Sequence, residues 1–222
     1  MQKKEQKKKE DKDNFIFPFS TCEKPNKKGI AQPYSVMFNL LSICVILSFL
    51  FQSKNIYVFC LILSLLAFEC VHTFSHVIHL PNYIQINIIH SLAYVINFCY
   101  LLAFYNYTHK APTLLFSALL VILLLFDIYS FMFLSFVFYF SSSMIMFFSI
   151  LIYYYKYIPK NNRKYILIIL SLGISIILLF YNEKFNCKKM LEMFPNFPFH
   201  ALLEGVGLVI FYFICKLFTT LS

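Results

Sequence analysis

Charge is scarce in this chain: only 13% of its 222 residues are Asp, Glu, Lys or Arg, while 60% are hydrophobic. A soluble domain of that length has no way to hide so much apolar surface, whereas lipid solvates it. The shortage of charge therefore excludes a soluble globular protein and implies an integral membrane one. Tryptophan is missing altogether beside 28 Phe and 16 Tyr, a compositional bias from which no function follows. There is no convincing internal repeat and no separate soluble domain. The N-terminal tail also lacks the apolar core of a cleaved signal peptide, so the first spanning helix is expected to act as the targeting signal.

What charge there is gathers at the start. The net charge of +9 comes largely from Lys3, Lys4, Lys7, Lys8, Lys9 and Lys12, ahead of any apolar run. We read residues 1–19 as a solvated, disordered basic tail, not as a nucleic-acid-binding segment, and residues 20–222 as one transmembrane domain. A spanning helix needs about 20 mostly apolar residues. Hydropathy predicts seven, near 35–52, 56–79, 83–105, 113–126, 131–155, 165–181 and 199–218. The expected fold is an all-α bundle of seven transmembrane helices with the lipid bilayer around it. The weakest boundary lies within 114–155, which is almost uninterrupted; Asp127 is read as marking the turn there, and six helices is the competing count.

Seven spans put the N-terminal segment and the second, fourth and sixth connections on one side of the membrane. The end of helix 2 and the start of helix 7 meet that side, which gathers His79, His90, Asp127, His200 and Glu204. Ionisable residues inside a membrane are costly and mark functional sites by default. Helix 2 carries Glu69, His72, Ser75, His76 and His79 within roughly a 120° arc at helical periodicity. Interhelical hydrogen bonding explains one or two such residues better than five. Helix 7 opens with His200 and Glu204 at i and i+4, so both project from one face. An imidazole and a carboxylate at that spacing suit zinc, and a third ligand from helix 2 would leave an open position for hydrolytic chemistry. Five cysteines lie in predicted spans. Cys22 and Cys187 lie outside them on the polar side, where the topology permits a disulfide in an oxidising compartment.

Four short motifs resemble the alkaline ceramidase family, within the wider group of seven-helix membrane hydrolases that includes adiponectin-receptor-like proteins. They are Cys22-Glu23 followed by Gln32-Pro33-Tyr34-Ser35-Val36-Met37-Phe38-Asn39, Ser75 with His79, Glu183 with Cys187, and His200-Ala201-Leu202-Leu203-Glu204. Their order and spacing hold across roughly residues 20–220. The resemblance implies zinc held by His79, His200 and Glu204, with Ser75 steadying an oxyanion and His90 orienting or deprotonating water. Glu69, His72 and His76 are then expected to support the site without touching the ion. Two positions depart from the family: Glu204 stands where it has a histidine, and His90 where it has an aspartate. Its calcium site is depleted here, leaving Glu23 as the one suitable ligand, so calcium dependence is expected to be weak or absent. Glu69-Cys70-Val71-His72 is also similar to a stretch of the acyl-CoA dehydratases, a local likeness ranked below the first.

The leading expectation is a zinc-dependent hydrolase cleaving the amide bond of a ceramide-like membrane lipid. The alternatives are a non-catalytic lipid-binding or receptor-like seven-helix protein and, third, a proton-linked transporter using the helix 2 stripe. Lys and Arg are in raw excess on the N-terminal side, but six of them lie at Lys12 or earlier, beyond the stretch that sets orientation. The resemblance and a Cys22–Cys187 bridge imply an endoplasmic reticulum or Golgi membrane with a lumenal N-terminus.

Overall fold

The computed structural model describes Cys22, Asn26 and residues 28–77, 83–134, 136–195 and 197–222. Among them are eight helices and no strand: α1 Pro33–Leu50, α2 Ile56–Val77, α3 Tyr83–Thr108, α4 Leu114–Phe133, α5 Phe136–Tyr155, α6 Lys160–Phe185, the short α7 Cys187–Met193, and α8 Phe199–Leu221. Seven are long and apolar enough to cross a membrane. The outer surface carries large apolar side chains, such as Leu114, Leu115, Ile122 and Phe133, while Ser35, Asn39, Ser42, Glu69 and Glu204 are buried. Apolar residues outside and polar ones within suit a bundle solvated by lipid.

Six of the long helices form a closed ring in which α1 touches α2 and α8, α2 touches α3, α3 touches α5, α5 touches α6, and α6 touches α8. Helix α4 packs chiefly on α5, outside that ring. Neighbours in the ring come close where side chains are small. Along α1, Ser35, Asn39, Ser42 and Ile46 recur at three- and four-residue steps and are all buried. On α6, a Cβ at Gly173 would meet the Phe148 ring of α5 at 2.5 Å, so a larger residue there would require that ring to move.

One predicted boundary is corrected. Asp127 does not mark a turn: α4 runs on to Phe133 and the break falls at Leu134. The Asp127 carboxylate is fully buried, and α5 supplies its donors, Ser142 and, at 2.9 Å, Ser143. A carboxyl group given donors by the returning helix has no need to lie at a helix end. Helix α6 is also longer at both ends than its apolar run implied.

On the side that receives the end of α2, the N-terminal segment is tied down. The backbone N–H of Gln32 donates to His76 O at 3.0 Å, and that of Ala31 to Val77 O at 3.3 Å. Cys22 and Cys187 are joined as a disulfide, with Cα atoms 5.2 Å apart. These links hold the chain ahead of α1 against the ends of α2 and α6, beside the buried polar residues.

Candidate metal centre

Helices α2 and α8 run antiparallel, so going deeper means lower numbers on α2 and higher numbers on α8. His76 and His200 form the outer level; His72 and Glu204, each four residues further in, form a level about 6 Å deeper. The side chains meet across this register. Glu204 Oε1 lies 3.1 Å from His200 Nε2, 3.5 Å from His76 Nε2 and 3.7 Å from His72 Nε2. The Nε2 atoms of His72 and His76 are 3.2 Å apart.

Each of these residues is gripped from behind. His76 Nδ1 donates to Gln32 Oε1 at 2.5 Å. His200 Nδ1 donates to Glu183 Oε2 at 3.0 Å. His72 Nδ1 faces Glu69 Oε2 at 3.6 Å. With its amide nitrogen turned toward the carboxylate, Asn39 donates to Glu204 Oε2 at 2.9 Å and to Ser35 O at 3.2 Å. An imidazole whose Nδ1 proton is committed to an oxygen presents a lone pair at Nε2. With neutral rings, the Nε2 lone pairs of His76 and His200 face the Glu204 carboxylate, while His72 can carry its proton at either nitrogen.

The buried carboxyl groups need a proton or a positive charge beside them. Glu69, Glu183 and Glu204 are 1%, 2% and 5% exposed, and no Lys or Arg is buried among the described residues. Extra protons on the imidazoles would balance that charge, and so would a metal ion. The spacing fits the ion. Tetrahedral ligand atoms at about 2.0–2.1 Å from a metal lie about 3.3 Å from one another, and the four distances above bracket that value. His72, His76 and Glu204 offer ligand atoms all within 4.8 Å of one another and can hold a metal ion.

The arrangement gives His72 and His76 a second possible role, as ligands. The resemblance puts both behind the ligands; in the structure both face the same Glu204 oxygen as His200 does. The antiparallel register is the reason, and the paired i, i+4 spacings of His72–His76 and His200–Glu204 were its signal. Glu69 does stand behind His72. His79 and Glu23 lie outside the described residues. Ser75 directs its hydroxyl to the His72 carbonyl of its own helix at 2.5 Å.

His90 is not gathered into the cluster. Its Nε2 meets the Tyr94 hydroxyl at 2.7 Å, and its ring stacks on Phe131 of α4 with centroids 3.9 Å apart. Tyr94 also faces Asp127. The group belongs to the α3–α4–α5 contact. Gln32, Asn39 and Glu183 were visible only as pieces of family-like motifs; nothing local in the sequence tells which imidazole or carboxylate each one grips.

A cavity of about 280 Å³ opens from the cluster. His72, His200 and Glu204 line one part of it, and Phe68, Ile96, Phe147 and Ile214 are among its many apolar walls. From Glu204 to Ile214 is ten residues of helix, or about 15 Å. The centre therefore sits at the polar end of a greasy chamber. Compared along its length with protein-family models, curated proteins and solved structures, the chain matches none of them, and the account of this site rests on its own geometry.

Proposed function

We propose that the protein is a zinc-dependent membrane hydrolase that cleaves the amide bond of a ceramide-like lipid. One observation carries the reading: the imidazoles of His72, His76 and His200 and the buried Glu204 carboxylate converge at the polar end of an apolar cavity. Two imidazole nitrogens and one carboxylate oxygen are a donor set that suits zinc with a position left open. The motifs that resemble those of alkaline ceramidases support the amide and the lipid as substrate.

In this proposal His72, His76 and Glu204 hold the metal. Zinc bound there would supply a Lewis acid and make water nucleophilic near neutral pH. His200 is assigned the proton. Its Nε2 takes a proton from the attacking water as the oxygen bonds to the amide carbon, and gives it to the leaving nitrogen as the C–N bond breaks. Glu183 fixes the ring through Nδ1–H and balances the imidazolium. Gln32 and Glu69 orient the ligand rings, Asn39 orients the carboxylate, and the apolar walls hold the chain and exclude bulk water. The disulfide favours an oxidising compartment, in keeping with an endoplasmic reticulum or Golgi membrane and a lumenal N-terminus.

A second reading has an observation of its own. His200 Nε2 stands 3.1 Å from Glu204 Oε1, close enough to complete a closed four-ligand site, and closed sites are structural. The protein would then bind lipid without cleaving it. Metal analysis of the purified protein, with mass spectrometry of a ceramide panel after incubation, separates the two. The hydrolase predicts bound zinc with fatty acid and amine released together. Zinc without products sinks the enzyme and leaves the lipid-binding reading.

A further inference from the structure

Glycine 207 interrupts the wall of the cavity. It lies three residues beyond Glu204, on the same face of α8 and about 4.5 Å further from the metal centre. It lines the cavity together with Leu203, Ile210 and Ile214 of its own helix. A Cβ built there meets no atom within 4 Å, so any side chain would enter open space. Glycine in a helix interior costs stability relative to alanine, and here no close approach of another helix requires it. The contrast with Gly173, where the Phe148 ring occupies the space of a Cβ, makes the point.

We infer that Gly207 is the specificity-determining residue of the cavity: its missing side chain is the passage by which a hydrocarbon chain runs past the metal centre into the deep half. The inference deepens the proposed function and rests on its reading of the cavity as a lipid chamber. The class of ligand follows from the walls, which are almost wholly apolar below Glu204. It is a single unbranched alkyl chain whose polar head remains at the cluster. A leucine at 207 narrows the passage and leaves room for short chains only. A hydrophobic pocket discriminates by roughly 10- to 200-fold per methylene-sized misfit, so the expected effect is large.

The test compares the parent with Gly207→Leu in lipid nanodiscs. Retention of short-chain and long-chain saturated fatty amides is measured by native mass spectrometry, with zinc content and amide cleavage followed in parallel. Val209→Leu, which adds volume at a position 40% exposed on the outer surface, is the control. The expected result is a fall of at least about tenfold in the long-to-short ratio for Gly207→Leu, with short-chain retention and zinc unchanged and the control like the parent. Should Gly207→Leu fail to fold, Gly207→Ala serves, since alanine favours the helix; the ratio then falls in the same direction by less. An unchanged ratio in a folded, metal-bearing variant overturns the inference, and so does a parent that retains neither amide. If the ratio shifts but no variant cleaves an amide, Gly207 keeps its role and the hydrolase reading fails.

Discussion

At the scale of single residues, the centre is an arrangement of tautomers. A neutral histidine that spends its Nδ1 proton on Gln32 or Glu183 has only a lone pair to offer at Nε2, and two such rings aimed at a carboxylate call for added protons or a metal ion between them. Removing a group that fixes a ligand ring commonly weakens metal affinity 10- to 100-fold. We predict that Gln32→Ala loosens the metal by about that factor while the chain still folds, measured by competition with a chelator. His72→Ala and His76→Ala should each lose the metal, whereas His200→Ala should keep it and lose about 10²- to 10⁴-fold in turnover, the range for a missing general acid–base. Loss of metal from His200→Ala as complete as from His76→Ala would make it a fourth ligand and favour the structural reading. Glu204→Ala should release the ion and Glu204→His retain it. A parent-like metal content and rate in Glu204→Ala would reduce that carboxylate to a packing group.

Between elements, what matters is which helices are held by apolar contact and which by polar bonds. Helix α4 has one neighbour of consequence, α5, and the carboxylate of Asp127 fastens it through Ser142 and Ser143. Hydrogen bonds between membrane helices are worth about 0.6 kcal/mol on average and at most about 1.7. Asp127→Ala is therefore expected to destabilise the fold by about 1–2 kcal/mol, because Ser142 already has a second acceptor in Tyr139 O at 2.9 Å. Denaturant titration in detergent would measure it, with metal content unchanged; loss of the metal would tie α4 to the centre. The seven spans were legible because hydropathy alone sets them. The end of α4 was not, because Asp127 looks like a helix boundary until its serine partners on the next helix are known. The members of the centre were legible as a stripe on α2 and a pair on α8. Their division into ligands and supports was hidden, since it depends on the relative depth of two antiparallel helices 120 residues apart in sequence.

For the molecule as a whole, the Cys22–Cys187 bridge closes a loop with a sequence separation of 165 that takes in α1 to α6 and leaves α8 outside. Loops of that length are stabilised by about 4–5 kcal/mol in the chain-entropy account. Cys187→Ser should lower stability by several kcal/mol or less, and peptide mapping without reductant should recover the linked pair from the parent. Two free thiols in protein from an oxidising compartment would remove the bridge and the support it gives to a lumenal N-terminus. The sequon Asn106-Tyr107-Thr108 lies at the opposite side of the membrane, so a glycan there would reverse the orientation.

The central claim is that the imidazoles and carboxylate between α2 and α8 surround a metal ion. Elemental mass spectrometry of the purified full-length chain, beside its His76→Ala variant, tests it most directly. The account predicts zinc near one equivalent per folded parent chain and little in the variant. A folded parent that carries no metal, and takes up none when zinc is supplied, would contradict it and leave protons as the charge that holds the cluster together.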